Sequence, residues 1–122
     1  MITILIADDS KVIRSNMKKI LNELGFSNII EAYDGEDAVK KYIREKPTLT
    51  FLDVSMPKQN GLETLKAIKR VDAMAKIVMA TTNGEEKVVM EAILHGAKSY
   101  VLKPLTCENV KSSITRTFPN MF

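Results

Sequence analysis

The sequence predicts a single α/β domain in which a doubly wound, five-stranded parallel sheet is flanked by five helices. Short apolar runs alternate five times with longer segments whose apolar residues recur with the 3.6-residue period of a helix. The apolar runs are nearly continuous, as expected for strands that are buried on both faces. We expect residues 1–122 to form this one domain, because that length suits an ordinary domain and leaves no room for a second.

The first half of the chain contains two strand and helix units and a third strand. The first strand is predicted over residues 2–7 (ITILIA), and Gly25 is expected to end the helix after it. A short second strand at residues 29–30 leads to Asp34, which is expected to cap the second helix. The third strand is predicted over residues 49–53 (LTFLD). Apolar stripes at helical spacing mark the two helices, with Ile13, Met17, Ile20 and Leu24 in the first and Ala38, Val39, Tyr42 and Ile43 in the second.

The second half contains the two remaining strands and three helices. The fourth strand is predicted over residues 76–81 (KIVMAT), and the Asn-Gly pair at residues 83–84 breaks it. The fifth strand is predicted over residues 99–103 (SYVLK), and Thr106 is expected to cap the last helix. The three helical stripes are Leu62, Leu65 and Ile68, then Val88, Val89, Ala92 and Ile93, and finally Val110 and Ile114.

The composition argues against several classes of protein. Hydrophobic residues make up 45% and charged residues 27%, which is the balance of a folded globular chain. The 18 basic residues are interspersed with 15 acidic ones, so we expect no nucleic-acid binding. No apolar run approaches the roughly 20 residues that cross a membrane, and the N-terminus lacks the features of a signal peptide. With Cys107 as its lone cysteine, the chain is expected to be cytoplasmic.

Polar residues lie at the carboxyl ends of four predicted strands. The first strand is followed by Asp8 and Asp9, the third ends at Asp53, the fourth at Thr81 and the fifth at Lys103. Ligands of open parallel sheets bind beyond this edge of the sheet. Each residue alone has an ordinary explanation, such as a helix cap for an aspartate. The five together predict one polar site.

The predicted site carries an excess of negative charge. Three carboxylates at short range cannot all remain ionised without positive charge nearby, and Lys103 supplies only one. The remaining excess suits a hard divalent cation with oxygen ligands, for which Mg²⁺ is the natural choice. We expect Asp9 and Asp53 to bind it directly, Asp8 to bind through water, and a backbone carbonyl from the loop after Asp53 to join them. A carboxylate in such a place can act as a nucleophile and form an acyl phosphate.

These residues identify a resemblance that covers essentially the whole chain. The pair Asp8-Asp9, Asp53 within DVSMPKQNG (53–61), Thr81 and Lys103-Pro104 together resemble the receiver domain of bacterial two-component response regulators. The resemblance implies a flavodoxin-like sheet with strand order 2-1-3-4-5 and a cis peptide bond between Lys103 and Pro104. It implies that Asp53 accepts phosphate from a phosphohistidine of a sensor histidine kinase, that the carbonyl of Ser55 joins the Mg²⁺ ligands, and that Lys103 contacts the phosphoryl group.

The resemblance also implies a switch. The hydroxyl of Thr81 would move toward the phosphoryl group, and Tyr100 would move inward behind it. This repacking would change the face formed by the fourth helix, the fifth strand and the fifth helix, where we expect Lys87, Val89, Tyr100 and Lys111 to contact a partner. The protein would then be a monomeric signalling protein that assists its own phosphorylation and dephosphorylation, and not an enzyme acting on other substrates.

The output of such a switch stays open at this point. The chain is most similar to chemotaxis regulators in the stretch LNELGFSNIIEAYDG (21–35). The expected lack of an output domain is a second feature shared with them. That similarity implies a chemotaxis kinase, a flagellar motor switch protein and a phosphatase as partners. A phosphate sink and a phosphorelay intermediate are alternatives. Ser55, Thr82 and Asn83 lie where family members vary, so the sequence does not give the lifetime of the phosphate.

Two other classes share some of these features. Small phosphatases that form an aspartyl phosphate also use Asp, Ser or Thr, Lys and Mg²⁺, but they usually need a second aspartate two residues after the nucleophile. This chain has Ser55 at that position. Flavodoxin-like flavin binders want a phosphate loop rich in Gly, Ser and Thr after the first strand, whereas residues 8–11 are the anionic DDSK. Transfer from acetyl phosphate, turnover of phosphoesters and bound flavin would distinguish the three classes.

Overall fold

The computed structural model describes residues 2–122, in which five strands and five helices alternate along the chain. No helix within those residues is long and apolar enough to cross a membrane. In chain order the elements are β1 (Thr3–Ala7), α1 (Lys11–Glu23), β2 (Asn28–Ala32), α2 (Gly35–Glu45), β3 (Leu49–Asp53), α3 (Gly61–Val71), β4 (Ile77–Thr81), α4 (Glu86–Leu94), β5 (Ser99–Leu102) and α5 (Cys107–Thr117).

The five strands form one sheet in the order β2-β1-β3-β4-β5, and every neighbouring pair is parallel. Both the fold class and the strand order expected from the resemblance are therefore confirmed. Parallel neighbours need a crossover connection, and a helix supplies it in each unit of this chain. All five strands consequently end at the same edge of the sheet.

Two apolar layers cover the two faces of the sheet. Along β1, Ile4 and Ile6 pack into one layer with residues of α1 and α5, whereas Leu5 and Ala7 pack into the other with α2, α3 and α4. Successive side chains of a strand point to opposite faces, so a continuous apolar run serves both layers. Each large side chain buried in this way contributes about 1.5–3 kcal/mol. This double burial explains the continuous apolar runs of the three central strands, whereas the edge strands β2 and β5 are only partly buried.

Side-chain caps begin four of the helices at defined residues. The side chains of Ser10, Asp34, Asn60 and Thr106 each accept a hydrogen bond from the backbone N–H three residues later. The caps predicted at Asp34 and Thr106 are confirmed. At the other end of α1, Gly25 has φ +100°, a backbone conformation that favours glycine. The predicted end of that helix is also confirmed.

The structure corrects several predicted boundaries and part of two stripes. The first strand begins at residue 3 and the fourth at residue 77, one residue later than predicted, and the fifth ends one residue earlier, at 102. The second strand is longer than predicted and covers Asn28–Ala32. Ile43 and Ile93 belong to the predicted stripes but are 51% and 41% exposed. Both lie at the edge of the buried face of their helix, where a regular spacing does not guarantee burial.

Candidate functional site

The sheet register brings the predicted polar residues to one edge. Ala7 of β1 pairs with Leu52 of β3, so the next residues, Asp8 and Asp53, leave the sheet side by side. On the other side of β3, Asp53 pairs with Ala80, the residue before Thr81. Thr81 in turn pairs with Leu102 of β5, which precedes Lys103. The structure therefore brings these residues to one edge of the sheet, and their roles there stay predictions.

Lys103 lies between two of the carboxylates. Its Nζ donates to Oδ2 of Asp8 and to Oδ1 of Asp53, at 3.0 Å in each case. Carboxylate oxygens of Asp8, Asp9 and Asp53 all lie within 4.8 Å of one another. Asp8 and Asp53 are only 3% and 6% exposed, whereas Asp9 is exposed. The site is thus a buried ion-pair centre with one carboxylate at its mouth.

Burial sets the protonation behaviour of this centre. Burial, together with the negative charge of Asp8, raises the pKa of Asp53 to about 6, although the hydrogen bond from Lys103 and its positive charge oppose the rise. Burial would lower the pKa of Lys103, but its hydrogen bonds to Asp8 and Asp53 outweigh that effect and raise it above the usual value. The ammonium group therefore stays charged, and a further cation would favour the ionised form of Asp53.

The backbone around Asp8 is held by residues that the sequence analysis did not identify. Asp8 Oδ1 accepts a hydrogen bond from the backbone N–H of Ser10 at 2.9 Å. The carbonyl oxygen of Asp8 accepts one from Nη1 of Arg14 at 2.8 Å, and Nε of Arg14 pairs with Oε1 of Glu31 at 3.1 Å. These contacts fix the turn that presents Asp8 and Asp9. Arg14 lies one turn into α1. The only feature of the sequence that could have indicated its role is that it is a basic residue near an acidic pair.

The donor set fits a magnesium ion. Ligands about 2.1 Å from Mg²⁺ lie at most about 4.2 Å apart, which is close to the observed spread of the three carboxylates. All three groups offer hard oxygen donors, and Lys103 neutralises only part of their charge. Asp9, which is exposed, has room for an ion and its waters in a cleft of about 590 Å³ that it lines together with Ser55.

The hydroxyl of Thr81 is bonded away from the carboxylates. Its Oγ1 donates to Oε1 of Glu85 at 2.9 Å, and Thr81 is 3% exposed. Ser55 and Thr82, two residues at positions where family members are expected to vary, bind the same Glu85 carboxylate. Glu85 itself was missed by the sequence analysis, because it precedes α4 in a polar segment without a distinguishing pattern. The Lys103-Pro104 peptide bond is cis, as expected from the resemblance.

Tyr100 lies at the surface beside a groove between α4 and β5. The Tyr100 side chain is 45% exposed, and the Arg116 guanidinium lies 5.7 Å from the centre of its ring. The groove has a volume of about 300 Å³, and Thr81 lines it together with Tyr100. Its apolar lining residues include Val89, Met90, Ile93 and Leu102.

The residues expected on the partner face differ in exposure. Lys87, Tyr100 and Lys111 are exposed, but Val89 is only 6% exposed and belongs to the apolar core. Val89 therefore does not project above the surface but forms part of the groove wall, so its contact with a partner stays a prediction. Met90, the next residue of α4, is 63% exposed and was missed. The predicted apolar stripe of this helix includes Val89 and leaves out Met90, in agreement with their exposure, because neighbouring residues of a helix point in different directions.

The fold and the site together define a class of protein, and comparison with known families agrees. The family model described as "Response regulator receiver domain" matches residues 4–115. The chain belongs to the response regulator receiver domain family.

Within that family, the chain is similar to chemotaxis proteins. It is 40% identical over 114 residues to the chemotaxis protein CheY of Bacillus subtilis, covering 93% of this chain and 95% of that protein. It is 36% identical over 116 residues to CheY of Listeria monocytogenes, covering 95% and 98%. Among solved structures, the CheX-CheY-BeF3-Mg complex of Borrelia burgdorferi contains a chain that matches with a TM-score of 0.91 and 33% identity, covering 96% of this chain and 89% of that one.

Proposed function

We propose that this receiver domain accepts a phosphoryl group on Asp53 from a phosphohistidine of a sensor histidine kinase and signals through the α4-β5-α5 face. The observation that carries the proposal is the position of Lys103, whose Nζ lies 3.0 Å from both Asp8 and Asp53 at the edge of the sheet. A buried carboxylate beside a fixed ammonium group and further acidic ligands is the arrangement that phosphoryl transfer to aspartate requires.

The chemistry follows from the contacts of Asp53. Lys103 holds Oδ1, so Oδ2 lies outside that hydrogen bond and is the oxygen we expect to bond to phosphorus as the phosphorus–nitrogen bond of the phosphohistidine breaks. Lys103 would then form an ion pair with the transferred phosphoryl group, and the hydroxyl of Thr81 would donate a hydrogen bond to it. Mg²⁺, held by Asp9, Asp53 and the Ser55 carbonyl with Asp8 acting through water, would supply charge that offsets that of the phosphoryl oxygens.

Labelling by a small phosphodonor tests the acceptor. Incubation with acetyl phosphate and Mg²⁺ should add one phosphate, seen as a labile mass increase by intact-protein mass spectrometry. Asp53→Asn should abolish the increase. Asp34→Asn is the matched control, because Asp34 is also a buried aspartate but caps α2, a role that asparagine fills equally well. Labelling of the Asp53→Asn variant at the yield of the unmodified protein would identify a different acceptor.

Metal binding is tested separately. Asp9→Ala should weaken Mg²⁺ binding, measured by isothermal titration calorimetry without any phosphodonor, because it removes the exposed carboxylate of the cluster. Equal affinity of this variant and the unmodified protein would remove Asp9 from the ligand set.

We further propose that the output is control of a flagellar motor in chemotaxis. Support comes from the chemotaxis relatives and from the apolar groove beside Tyr100. A purified motor switch protein should bind more tightly when the phosphoryl mimic beryllofluoride and Mg²⁺ are present, and the Asp53→Asn variant should show no such increase. Equal affinity with and without the mimic would contradict this role. The complex of the Borrelia CheY with CheX supports a second partner protein, which we expect to be a phosphatase.

The proposed protein is a cytoplasmic, monomeric phosphoacceptor, and not an enzyme acting on small phosphoesters. A sink would lose its phosphate without binding a motor protein, and a relay intermediate would pass it to a second phosphotransfer protein. Incubating labelled protein with each purified partner separates these outcomes. Steady turnover of a chromogenic phosphoester that depends on Asp53 would contradict the proposal and support the phosphatase alternative.

A further inference from the structure

The carboxylate of Glu85 connects two loops at the mouth of the site. Its Oε1 accepts hydrogen bonds from Oγ1 of Thr81 at 2.9 Å, from the backbone N–H of Thr82 at 2.8 Å and from Oγ1 of Thr82 at 3.0 Å. Its Oε2 accepts one from Oγ of Ser55 at 2.8 Å. Ser55 lies in the loop after β3, Thr81 ends β4 and Thr82 begins the loop that follows, so one side chain connects both loops around Asp53.

These contacts do not serve helix capping. Glu85 occupies the residue before α4, but its side chain makes no hydrogen bond to the amides of that helix. Partial burial would raise the pKa of Glu85, but the hydrogen bonds from Thr82, Ser55 and Thr81 outweigh it and lower the pKa to about 2. Glu85 is thus ionised, and its carboxylate is hydrogen-bonded to residues of both loops.

The contact with Thr81 competes with the expected switch. A hydroxyl group has one proton, so while Thr81 donates to Glu85 it cannot donate to a phosphoryl group on Asp53. Glu85 also lines the same cleft as Asp9 and Ser55, where its negative charge faces any anion that approaches. Activation therefore requires the Thr81–Glu85 hydrogen bond to break.

We propose that Glu85 is a positioning residue that holds Thr81 away from Asp53 and thereby makes the switch harder to turn on. This inference rests on the proposed function, in which Asp53 accepts the phosphoryl group. In the unphosphorylated protein, Glu85 would then set the position of the Thr81 hydroxyl, although Glu85 lies outside the acidic cluster. Ser55 and Thr82 stabilise the inhibitory position of Glu85, which gives both of them a role in the unphosphorylated state.

The test measures the affinity for beryllofluoride at saturating Mg²⁺ by calorimetry. Glu85→Ala should increase this affinity about tenfold, because it removes the hydrogen bond of Thr81 to a charged group and leaves only the longer contact of the Thr81 hydroxyl with the Thr82 carbonyl oxygen at 3.2 Å. Glu85→Gln keeps an acceptor oxygen for Thr81 without the charge and should give a smaller increase. Glu86→Ala is the matched control: it removes the same charge one residue away, from an exposed side chain that accepts a hydrogen bond from the backbone of Gly84 and none from Ser55, Thr81 or Thr82. The control affinity should stay within about twofold of the unmodified protein.

A double-mutant cycle separates positioning from simple charge repulsion. In a Thr81→Ala background, Glu85→Ala should have little further effect, because the residue through which Glu85 acts is gone. An equal gain in both backgrounds would overturn the proposal in favour of repulsion alone. Unfolding in urea monitors the structural effect of each variant, and the amide resonance of Thr82 should move in Glu85→Ala but not in Glu86→Ala.

The proposed function and the role of Glu85 are contradicted by different results. If the unmodified protein neither binds beryllofluoride with Mg²⁺ nor takes phosphate on Asp53, the proposed function and this inference both fall. If the unmodified protein does both and Glu85→Ala binds the mimic with unchanged affinity, only the role of Glu85 is overturned.

Discussion

At the level of single residues, Lys103 participates in two ion pairs at once, with Asp8 and with Asp53. Its side chain is 14% exposed, and the two carboxylates are more deeply buried still. Two buried carboxylates without a counter-ion would repel each other and lose hydration. The same cation that is expected to pair with a phosphoryl group thus also holds the unphosphorylated site together.

This double role predicts the behaviour of Lys103→Met. Without metal, the free energy of unfolding should fall by about 2–4 kcal/mol, because one partner of a buried ion pair is lost. Mg²⁺ should restore part of the loss, since it supplies charge to the same carboxylates. Urea unfolding with and without Mg²⁺ measures both effects. Lys40→Met, at an exposed lysine of α2, is the control and should change neither value appreciably. A metal-free Lys103→Met protein as stable as the unmodified one would contradict the argument.

At the level of elements, local patterns predicted most of the fold and the carboxylate cluster. Apolar periodicity located the helices, and the parallel order of the strands brought residues distant in sequence to one edge. Patterns did not reveal Glu85, whose contact with Ser55 spans 30 residues and depends on how two irregular loops fold. The apolar stripe did place Val89, and not Met90, on the buried face of α4, but it also included Ile93, which is 41% exposed, because an apolar residue at the edge of a helical stripe fits either environment.

The close approach of α3 to the end of β3 predicts that a substitution there affects both stability and labelling. Gly61 begins α3, and a Cβ there would overlap the carbonyl oxygen of Asp53 and lie 2.8 Å from Cα of Val54. Gly61→Ala should therefore displace the strand end that carries Asp53. We expect a loss of about 1–3 kcal/mol in unfolding free energy and slower labelling by acetyl phosphate.

A glycine elsewhere provides the control. Gly25→Ala places its Cβ in open space but at φ +100°, so it should cost about 1 kcal/mol without slowing labelling. If the two variants label equally fast, the close approach of α3 to Asp53 has no functional consequence.

The packing of α2 against the end of α3 predicts a pH effect. Oη of Tyr42 donates to Oδ2 of Asp72 at 2.7 Å. Burial, and then this contact with a carboxylate, raise the pKa of Tyr42 above its usual value. The unfolded chain therefore loses the Tyr42 proton first as pH rises. The stability that the raised pKa represents is fully present below about pH 10 and is lost as pH rises further.

Tyr42→Phe should expose this dependence. At pH 7 it should lower the free energy of unfolding by about 1 kcal/mol through loss of the hydrogen bond. The difference from the unmodified protein should shrink above about pH 10, where only the unmodified chain ionises Tyr42 on unfolding. Urea unfolding at both pH values provides the measurement, and Tyr33→Phe, at a tyrosine that is 57% exposed, serves as the control. A difference that is equal at both pH values would contradict the assigned cause.

At the level of the whole molecule, one strand joins the acidic site to the surface groove. β4 lies beside β3, which carries Asp53, and beside β5, which carries Tyr100. Thr81 ends β4 and lines the groove with Tyr100, while its hydroxyl is bonded to Glu85. A change in the position of Thr81 would therefore act at both places, because Thr81 pairs with Leu102 of β5 and lies next to the strand that carries Asp53.

This arrangement predicts how ligands change global stability. Mg²⁺ and beryllofluoride should bind the folded chain only, because the three aspartates meet only when β1 and β3 pair. At a hundred times the dissociation constant such a ligand adds about 2.7 kcal/mol to the free energy of unfolding. For a domain of this size that corresponds to a rise of roughly 8–16 °C in melting temperature. The melting temperature measured by calorimetry should be highest with both ligands, lower with Mg²⁺ alone and lowest after the metal is chelated. In Asp53→Asn the step due to beryllofluoride should disappear, and an undiminished step there would mean that the anion binds elsewhere.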